Sequence, residues 1–296
     1  MPAQRHPLPD GRWHFQHGPI DLVIGAEGST AAVAAAHADA WQRFGPVLDE
    51  LVAELPALRR PVAAGPCPLH GRMARRMWEA CKPLSGQFIT PMAAVAGAVA
   101  QELIAFYRRD GIQRAWVNNG GDIALHLAPG HSVRIGVFAD LARLDARQVM
   151  EGPAIDGQFE IAHSLPVRGV ATSGWRGRSF SLGIADSVTV LARSAAEADA
   201  AATVIANAVN LDDPRILRCP ANELKDDSDL GSIPVTVDVP PLGHAAVQSA
   251  LQAGLQRAAA LQGAGLIWAA LLVCQGLAVS TRSPVPSPSE LGSVFA

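Results

Sequence analysis

The segment 169–210 constrains the fold more than any other part of this 296-residue chain. Its sequence predicts a turn rich in glycine and serine, then an apolar β-strand, then an alanine-rich helix. Ser194 and Glu197 have the spacing of a capping box, which marks the start of that helix. Further along it, Asp199 and Thr203 lie one turn apart on the same face. A carboxylate and a hydroxyl are hard oxygen ligands, so this pair is a candidate Mg²⁺ site; the alternative is an ordinary solvated helix surface.

Composition favours a well-packed globular protein, because 49% of the residues are hydrophobic and only 17% are charged. The formal net charge of −3 gives no basic surface of the kind that nucleic-acid-binding proteins use. Four cysteines are scattered without C-x-x-C spacing, so we expect free thiols in a reducing cytoplasm and neither a disulfide framework nor a zinc site. The N-terminal residues lack the apolar core of a signal peptide, which also predicts a cytoplasmic protein.

Residues 258–281 carry no charge and include the apolar run 266–279. This run is shorter than the roughly 20 residues of a membrane-spanning helix, and glutamines and glycines interrupt the region. A buried strand pair or a core helix is therefore favoured over a membrane anchor. The Ser- and Pro-rich residues 281–296 are predicted to be a disordered tail, which leaves a single domain over residues 1–280.

Strand and helix patterns are mixed without regular alternation, which predicts an α+β fold rather than a doubly wound sheet. A hairpin is expected at 12–25, with its turn at Gly18-Pro19. Helices are further predicted over 30–55 (interrupted at Gly45-Pro46), 71–82, 194–210 and 244–262, and strands near 114–118, 122–128, 132–138, 168–172, 183–192 and 234–239. The polar segments 140–168 and 211–233 are expected to be irregular.

Another helix is predicted to begin after Thr90, with a hydroxyl cap followed by Pro91 at the first helical position. It should continue to the Asp110-Gly111 pair. Its alanines and Gly97 give it a slim face, which would allow close packing against another backbone.

A second candidate site is the segment VNNGGDI at 117–123. Asn-Gly and Gly-Gly pairs are strong turn formers, so Asn119, Gly120 and Gly121 are expected to form a hairpin turn. Glycines also let a ligand approach the backbone closely, and Asp122 beside them could accept hydrogen bonds from such a ligand. The two interpretations are compatible.

A third candidate is the turn formed by Thr172, Ser173 and Gly174. Successive backbone amides in a turn can bind a phosphate, and Arg176 and Arg178 beside it could pair with phosphate oxygens. A plain turn with solvated arginines is the alternative interpretation.

The order of three segments, FITPMAAVAGAVAQ at 88–101, VNNGGDI at 117–123 and the block 169–210, resembles the ApbE-like superfamily of flavin transferases. The resemblance extends over about residues 10–280 and is closest to the uncharacterised cytoplasmic branch of that superfamily. It implies an α+β fold with mixed or antiparallel sheets packed with helices, and a site for FAD or FMN. In characterised members Mg²⁺ assists the transfer of FMN from FAD to a threonine of a target protein, so a protein acceptor is an implied partner.

The resemblance places the family's metal ligands on Asp199 and Thr203, with a backbone carbonyl ligand near Ala93. It also places the family's flavin-binding Gly-Gly-Asp segment on Gly120, Gly121 and Asp122. With the neighbouring candidate residues, the predicted flavin-nucleotide site comprises Asn119, Gly120, Gly121, Asp122, Thr172, Ser173 and Arg178.

Two departures from the family pattern bear on activity. The transferases have a Lys-Gly pair where this chain has Ala96-Gly97, and a histidine where this chain has RSFSLGIADS at 178–187. Both changes remove charge that would stabilise the nucleotide. Two functions stay open: a Mg²⁺-dependent FMN transferase or FAD phosphoanhydride-cleaving enzyme, and a non-catalytic binding protein that retains the fold. No nucleic acid or membrane partner is expected, and the 91–104 helix or the apolar C-terminal segment could support a homodimer.

Overall fold

The computed structural model describes residues 2–137 and 157–282, together with the backbone of 293–294. Its strands are β1 (Gln4–Pro7), β2 (Trp13–His17), β3 (Ile20–Gly28), β4 (Ile112–Asn119), β5 (Asp122–Leu127), β6 (Ser132–Val137), β7 (Gly157–Ala162), β8 (Gly169–Ser173), β9 (Ser187–Ala192), β10 (Leu217–Pro220), β11 (Pro234–Asp238), β12 (Ala269–Cys274), β13 (Leu277–Ser280) and β14 (Ser293–Val294). The α-helices are α1 (Thr30–Phe44), α2 (Val47–Ala53), α3 (Leu55–Leu58), α4 (Arg72–Cys81), α5 (Val95–Ile104), α6 (Ala195–Ala208), α7 (Ala221–Leu224) and α8 (His244–Gly263).

Within the described residues, the main sheet has nine strands in the order β1-β2-β3-β4-β5-β8-β9-β12-β13. Every neighbouring pair in it is antiparallel. A smaller sheet has the order β14-β6-β7, and β10 pairs with β11. Helices and mostly antiparallel sheets confirm the predicted α+β class.

The side chains of β5 alternate between two hydrophobic cores, one on each face of the main sheet. Ile123 and Leu125 belong to a core that they share with Val133 and Ile135 of the smaller sheet. Ala124, between them, belongs to the larger core that contains the helices. Because side chains on a strand alternate between its two faces, Asp122 lies on the helix side together with Ala124. The main sheet therefore has one face toward the helices and one, in this region, toward the smaller sheet.

A buried carboxylate fixes α5 against two other helices. Glu102 of α5 is 1% exposed and accepts hydrogen bonds from Arg43 of α1 at 2.9 Å and from Arg76 of α4 at 2.7 Å. Burial acts to raise the pKa of Glu102, but the hydrogen bonds from these two arginines outweigh it and hold the pKa below its usual value.

The predictions with strong local signals are confirmed. The hairpin forms from β2 and β3, with the turn glycine Gly18 at φ +56°. The apolar run 266–279 contains the strand pair β12–β13, and its turn residues Gln275 and Gly276 both have positive φ, at 44° and 79°. No helix among the described residues is long and apolar enough to cross a membrane.

Other predictions need correction. Thr90 does not cap a helix, because its hydroxyl donates to the carboxylate of Asp229, and a 3-10 turn at Pro91–Ala94 precedes α5. The helix ends at Ile104, where a second 3-10 turn begins. The segments predicted to be irregular contain β7, β10 and α7. Residues 138–156 lie outside the described residues, as do residues 283–292 and 295–296 of the predicted tail.

The capping box at the start of α6 gives a first testable prediction. The Ser194 hydroxyl oxygen accepts from the Glu197 backbone N–H at 3.3 Å, and the hydroxyl contacts the Glu197 carboxylate at 3.1 Å. Replacing Ser194 with alanine should lower the free energy of unfolding by about 1 kcal/mol, measured by urea denaturation. Ser194→Asp keeps a capping oxygen and should lose much less; equal losses in the two variants would show that the cap contributes nothing.

Candidate functional site

A cavity of about 290 Å³ lies beside the start of α5, the middle of α6 and the segment 225–230. Apolar groups including Phe88, Met92 and Phe180 form part of its wall. The charged groups in the wall are Arg59, Asp122, Arg178, Asp199, Lys225, Asp227 and Asp229. An apolar wall with converging charged groups is the usual composition of a small-molecule site.

Helix α6 brings its predicted pair to this cavity. Asp199 and Thr203 both line it, as expected for residues one turn apart on one helical face. The Asp199 Oδ2 accepts a hydrogen bond from the backbone N–H of Gly97 at 2.9 Å. This contact requires α5 to lie close to α6, and a Cβ on Gly97 would collide with the carbonyl oxygen of Ala195. The predicted slim face of α5 is confirmed.

The β4–β5 hairpin supplies the second carboxyl group. Asn119 pairs with Asp122 across a two-residue turn whose glycines, Gly120 and Gly121, have φ +66° and +110°. Positive φ at both positions is typical of the tight hairpin turns that favour glycine, so the predicted turn is confirmed. Asp122 is 9% exposed and lines the cavity, while the Asn119 amide donates to the carbonyl oxygen of Ala96 at 3.1 Å. The turn is therefore attached to the start of α5.

The two arginines near the third candidate occupy different places. The Arg178 guanidinium packs directly on Gly120, where it would collide with any Cβ, and Arg178 lines the cavity. Arg176 instead lies 3.7 Å from Asp186, stacks over Trp175 at 4.9 Å, and is not part of the cavity wall.

Thr172 and Ser173 are residues of β8 rather than of a turn, and neither lines the cavity. The backbone N–H of Thr172 donates to the Asp122 carboxyl at 3.3 Å, and the hydroxyl groups of Thr172 and Thr189 lie 3.0 Å apart. The Thr172 backbone thus holds the side chain of Asp122, which lines the cavity. The prediction that Thr172 and Ser173 belong to a turn is therefore wrong, and a phosphate-binding role for their backbone amides stays a prediction.

Burial dominates the electrostatics of the two carboxyl groups. It raises the pKa of Asp199 to about 7, although hydrogen bonds from the backbone N–H groups of Gly97 and Ala96 act in the opposite direction. Burial also raises the pKa of Asp122 well above its usual value, and the negative charge of Asp199 adds to this effect. The Thr172 N–H and the charge of Arg178 only partly compensate. Near pH 7, simultaneous ionisation of Asp122 and Asp199 is therefore unfavourable.

The donor set fits magnesium better than a transition metal. Across residues 2–137 and 157–282, no group of three or more His, Cys, Asp or Glu side chains is arranged to hold a metal ion. Of the oxygen ligands in the cavity wall, the predicted site residues supply two carboxyl groups, Asp122 and Asp199, and the hydroxyl of Thr203. Mg²⁺ retains several waters and needs only one or two protein carboxylates in addition to phosphate oxygens. A bound cation would also relieve the repulsion between the two carboxyl groups.

Several residues that line the cavity were not among the predicted site residues. Arg59 Nη2 lies 2.7 Å from Asp227 Oδ2, and Thr90 donates to Asp229, so two cavity residues from other parts of the chain contact the segment 225–230. The run KDDSD at 225–229 is a local signal that could have identified one side of these contacts. Their partners are more than a hundred residues away, with separations of 168 and 139 positions, and no local pattern marks them.

A sequence model of the family described as "AbpE bacteria" matches residues 5–280 of this chain. The chain belongs to this family. Its predicted membership of an ApbE-like branch is therefore confirmed. This AbpE-family chain is 36% identical over 214 residues to a UPF0280 protein of Methanopyrus kandleri, covering 70% of this chain and 78% of that protein.

A UPF0280 protein of Methanospirillum hungatei is 34% identical over 146 residues, covering 49% of this chain and 52% of that protein. The chain thus spans about half the length of several curated relatives that it matches. Among solved structures, the apo flavinyl transferase ApbE of Pseudomonas stutzeri is similar with a TM-score of 0.46 and 15% identity over 95% of both chains. The flavin transferase ApbE of Vibrio cholerae has a TM-score of 0.39 and 13% identity, covering 94% of this chain and 97% of that one.

Proposed function

We propose that this protein binds a flavin nucleotide, FAD or FMN, in the cavity beside α5 and α6. One observation carries the proposal: Asp122, Arg178, Asp199 and Thr203, which come from separate parts of the chain, line the same cavity. All four residues lie in segments through which the sequence resembles flavin transferases, Asp122 in 117–123 and the other three in the block 169–210. The ligand class follows from that resemblance, and the convergence of the residues on one cavity supports it.

The cavity can hold only part of a flavin nucleotide, and its lining offers contacts for the ring, the ribose and the phosphates. Its volume of about 290 Å³ is at the lower end of the range for small-molecule sites, roughly 300–1,000 Å³. Phe88, Met92 and Phe180 offer apolar surface to a planar ring system. Arg178 can pair with phosphate oxygens through its guanidinium, and Asp122 can accept hydrogen bonds from a ribose or from the flavin ring. The remainder of a dinucleotide would extend over the rim.

We further propose that Asp199 and Thr203 hold Mg²⁺, with Asp122 as the second carboxyl group of the site. When bound, the ion would neutralise charge on the phosphate oxygens of the nucleotide. The activity that we propose is cleavage of the phosphoanhydride of FAD, in which the FMN phosphoryl group passes to a hydroxyl of a protein acceptor or to water and AMP leaves. Arg178 would orient the phosphates, and Asp122 would orient the ribose or the ring.

A non-catalytic binding protein is the second candidate, and one observation favours it. Ala96 lines the cavity at the position where the transferases have lysine, and its carbonyl oxygen accepts from the Asn119 amide. Helix α5 thus contributes no cationic side chain at that point. Incubation with FAD and Mg²⁺ separates the two candidates: release of AMP supports an enzyme, while tight FAD binding without AMP release supports a binding protein.

Asp199→Ala tests the proposed site directly. FAD should bind the unmodified protein more tightly with Mg²⁺ than without it, and the variant should lose this enhancement, by about tenfold or more in affinity. Titration followed by flavin fluorescence, with Mg²⁺ and then with EDTA, measures both quantities. Asp49→Ala, which removes an exposed carboxylate of α2, is the matched control and should behave like the unmodified protein. If Asp199→Ala leaves FAD affinity unchanged under both conditions, the proposed site is wrong.

A further inference from the structure

Two cations and one carboxylate meet at the rim of the cavity. Asp227 Oδ2 lies 2.7 Å from Nη2 of Arg59, and Asp227 Oδ1 lies 3.8 Å from Nζ of Lys225. All three side chains line the cavity. A guanidinium and an ammonium group on either side of one anionic group is an arrangement that also suits a phosphate. The Asp227 carboxylate therefore occupies a position that fits an anionic ligand.

The contacts of Asp227 are weak enough to be exchanged. The side chains of Arg59, Asp227 and Lys225 are 31%, 56% and 66% exposed. Exposed ion pairs of this kind contribute little to stability, so a phosphate with more charge and more acceptor oxygens can replace the carboxylate. A second contact holds the same segment, because the 2%-exposed Thr90 donates to Asp229. Asp227 can therefore leave Arg59 while the segment keeps its attachment to the cavity wall.

We infer that Arg59 and Lys225 form a phosphate-binding subsite at the cavity rim, which Asp227 occupies as an internal competitor until a phosphate displaces it. The ligand class is a phosphate or pyrophosphate group, either free or as part of a nucleotide. The link to a nucleotide rests on the proposed function, but the subsite itself does not, because it can be probed with inorganic pyrophosphate alone.

Calorimetric titration with inorganic pyrophosphate tests the subsite in four proteins. Asp227→Asn should tighten binding about two- to fivefold relative to the unmodified protein, because the competing carboxylate is gone. Asp226→Asn removes the same charge from an exposed neighbour that does not line the cavity, and it should have less effect. Arg59→Ala should weaken binding about tenfold. Melting temperatures of all four proteins verify that they are folded.

Three results would overturn the subsite: no pyrophosphate binding by the unmodified protein, equal effects of Asp227→Asn and Asp226→Asn, or unchanged binding by Arg59→Ala. A parallel titration with FMN and FAD, each with Mg²⁺, separates this inference from the proposed function. If FMN binds but the pyrophosphate pattern is absent, the subsite is wrong and flavin binding stands. If the pyrophosphate pattern is present but neither flavin binds, the subsite stands and the flavin proposal is wrong.

Discussion

Replacing Gly97 with alanine is expected to lower the free energy of unfolding by about 3 kcal/mol or more. The new Cβ would collide with the carbonyl oxygen of Ala195 and lie 2.9 Å from the backbone nitrogen of Ala196. These are backbone atoms of the first turn of α6, so no side-chain rotation can relieve the overlap, and α5 must move away from α6. Because the Gly97 N–H donates to Asp199, the same movement would weaken the contact that positions this carboxyl group.

Urea denaturation measures the loss in Gly97→Ala, with Gly86→Ala as the matched control. Gly86 lies outside the positive-φ region and has no atom within 4 Å of a Cβ built on it, so its substitution should change stability by less than about 0.5 kcal/mol. The Mg²⁺ enhancement of FAD binding should also decline in Gly97→Ala and persist in Gly86→Ala. Equal stability of the two variants would contradict the close approach of α5 and α6.

The sequence predicted those features that depend on neighbouring residues. Ser194 and Glu197 are three positions apart, and the Gly120-Gly121 turn needs only its own two positive φ angles, so both could be recognised without knowledge of the fold. Asp199 and Thr203 share a helical face for the same local reason. The apolar run that forms β12 and β13 was too short for a membrane span, which left a strand pair or a core helix.

What the sequence could not predict depends on contacts between distant residues. Thr90 has the features of a helix cap, but the carboxylate of Asp229, 139 positions away, takes its hydroxyl instead. Arg178 packs on Gly120 although nothing in either segment indicates the pairing. The short strands β7 and β10 also lacked a clear pattern, because they are stabilised by pairing with β6 and β11.

A second large effect concerns the pH dependence of stability. Burial raises the pKa of Asp199 from 3.8 to about 7, so the native state keeps a proton that the unfolded chain has already lost between these values. Fewer protons are then bound in the unfolded state, and the free energy of unfolding falls as pH rises, by at most about 1.4 kcal/mol for each pH unit. Asp199→Asn lacks the titrating carboxyl group, so its free energy of unfolding does not fall for this reason. In metal-free buffer its free energy of unfolding should therefore increase, relative to that of the unmodified protein, as pH rises from 4 to 7.

The pH profile of the unmodified protein alone would not reveal this effect, because His37 acts in the opposite direction. Burial, assisted by the charge of Arg5, lowers the pKa of His37 from 6.5 to about 4. The unfolded chain therefore binds a proton first as pH falls through this range, which removes stability at low pH. His37 is the same in both proteins, so the difference between Asp199→Asn and the unmodified protein isolates the carboxyl group.

The difference in unfolding free energy should be measured by urea denaturation with EDTA from pH 4.5 to pH 8, with Asp49→Asn as the control for an exposed carboxyl group. A difference that stays constant over this range would show that Asp199 is ionised throughout. Asp122 strengthens the expected trend, because its pKa is raised partly by the charge that Asp199→Asn removes. Desolvation of the ionised carboxyl group is the main cause of the raised pKa of Asp199, so the metal-free protein loses stability as this group ionises with rising pH. A Mg²⁺ ion at the proposed site would place a positive charge beside the ionised carboxyl group and so oppose this loss.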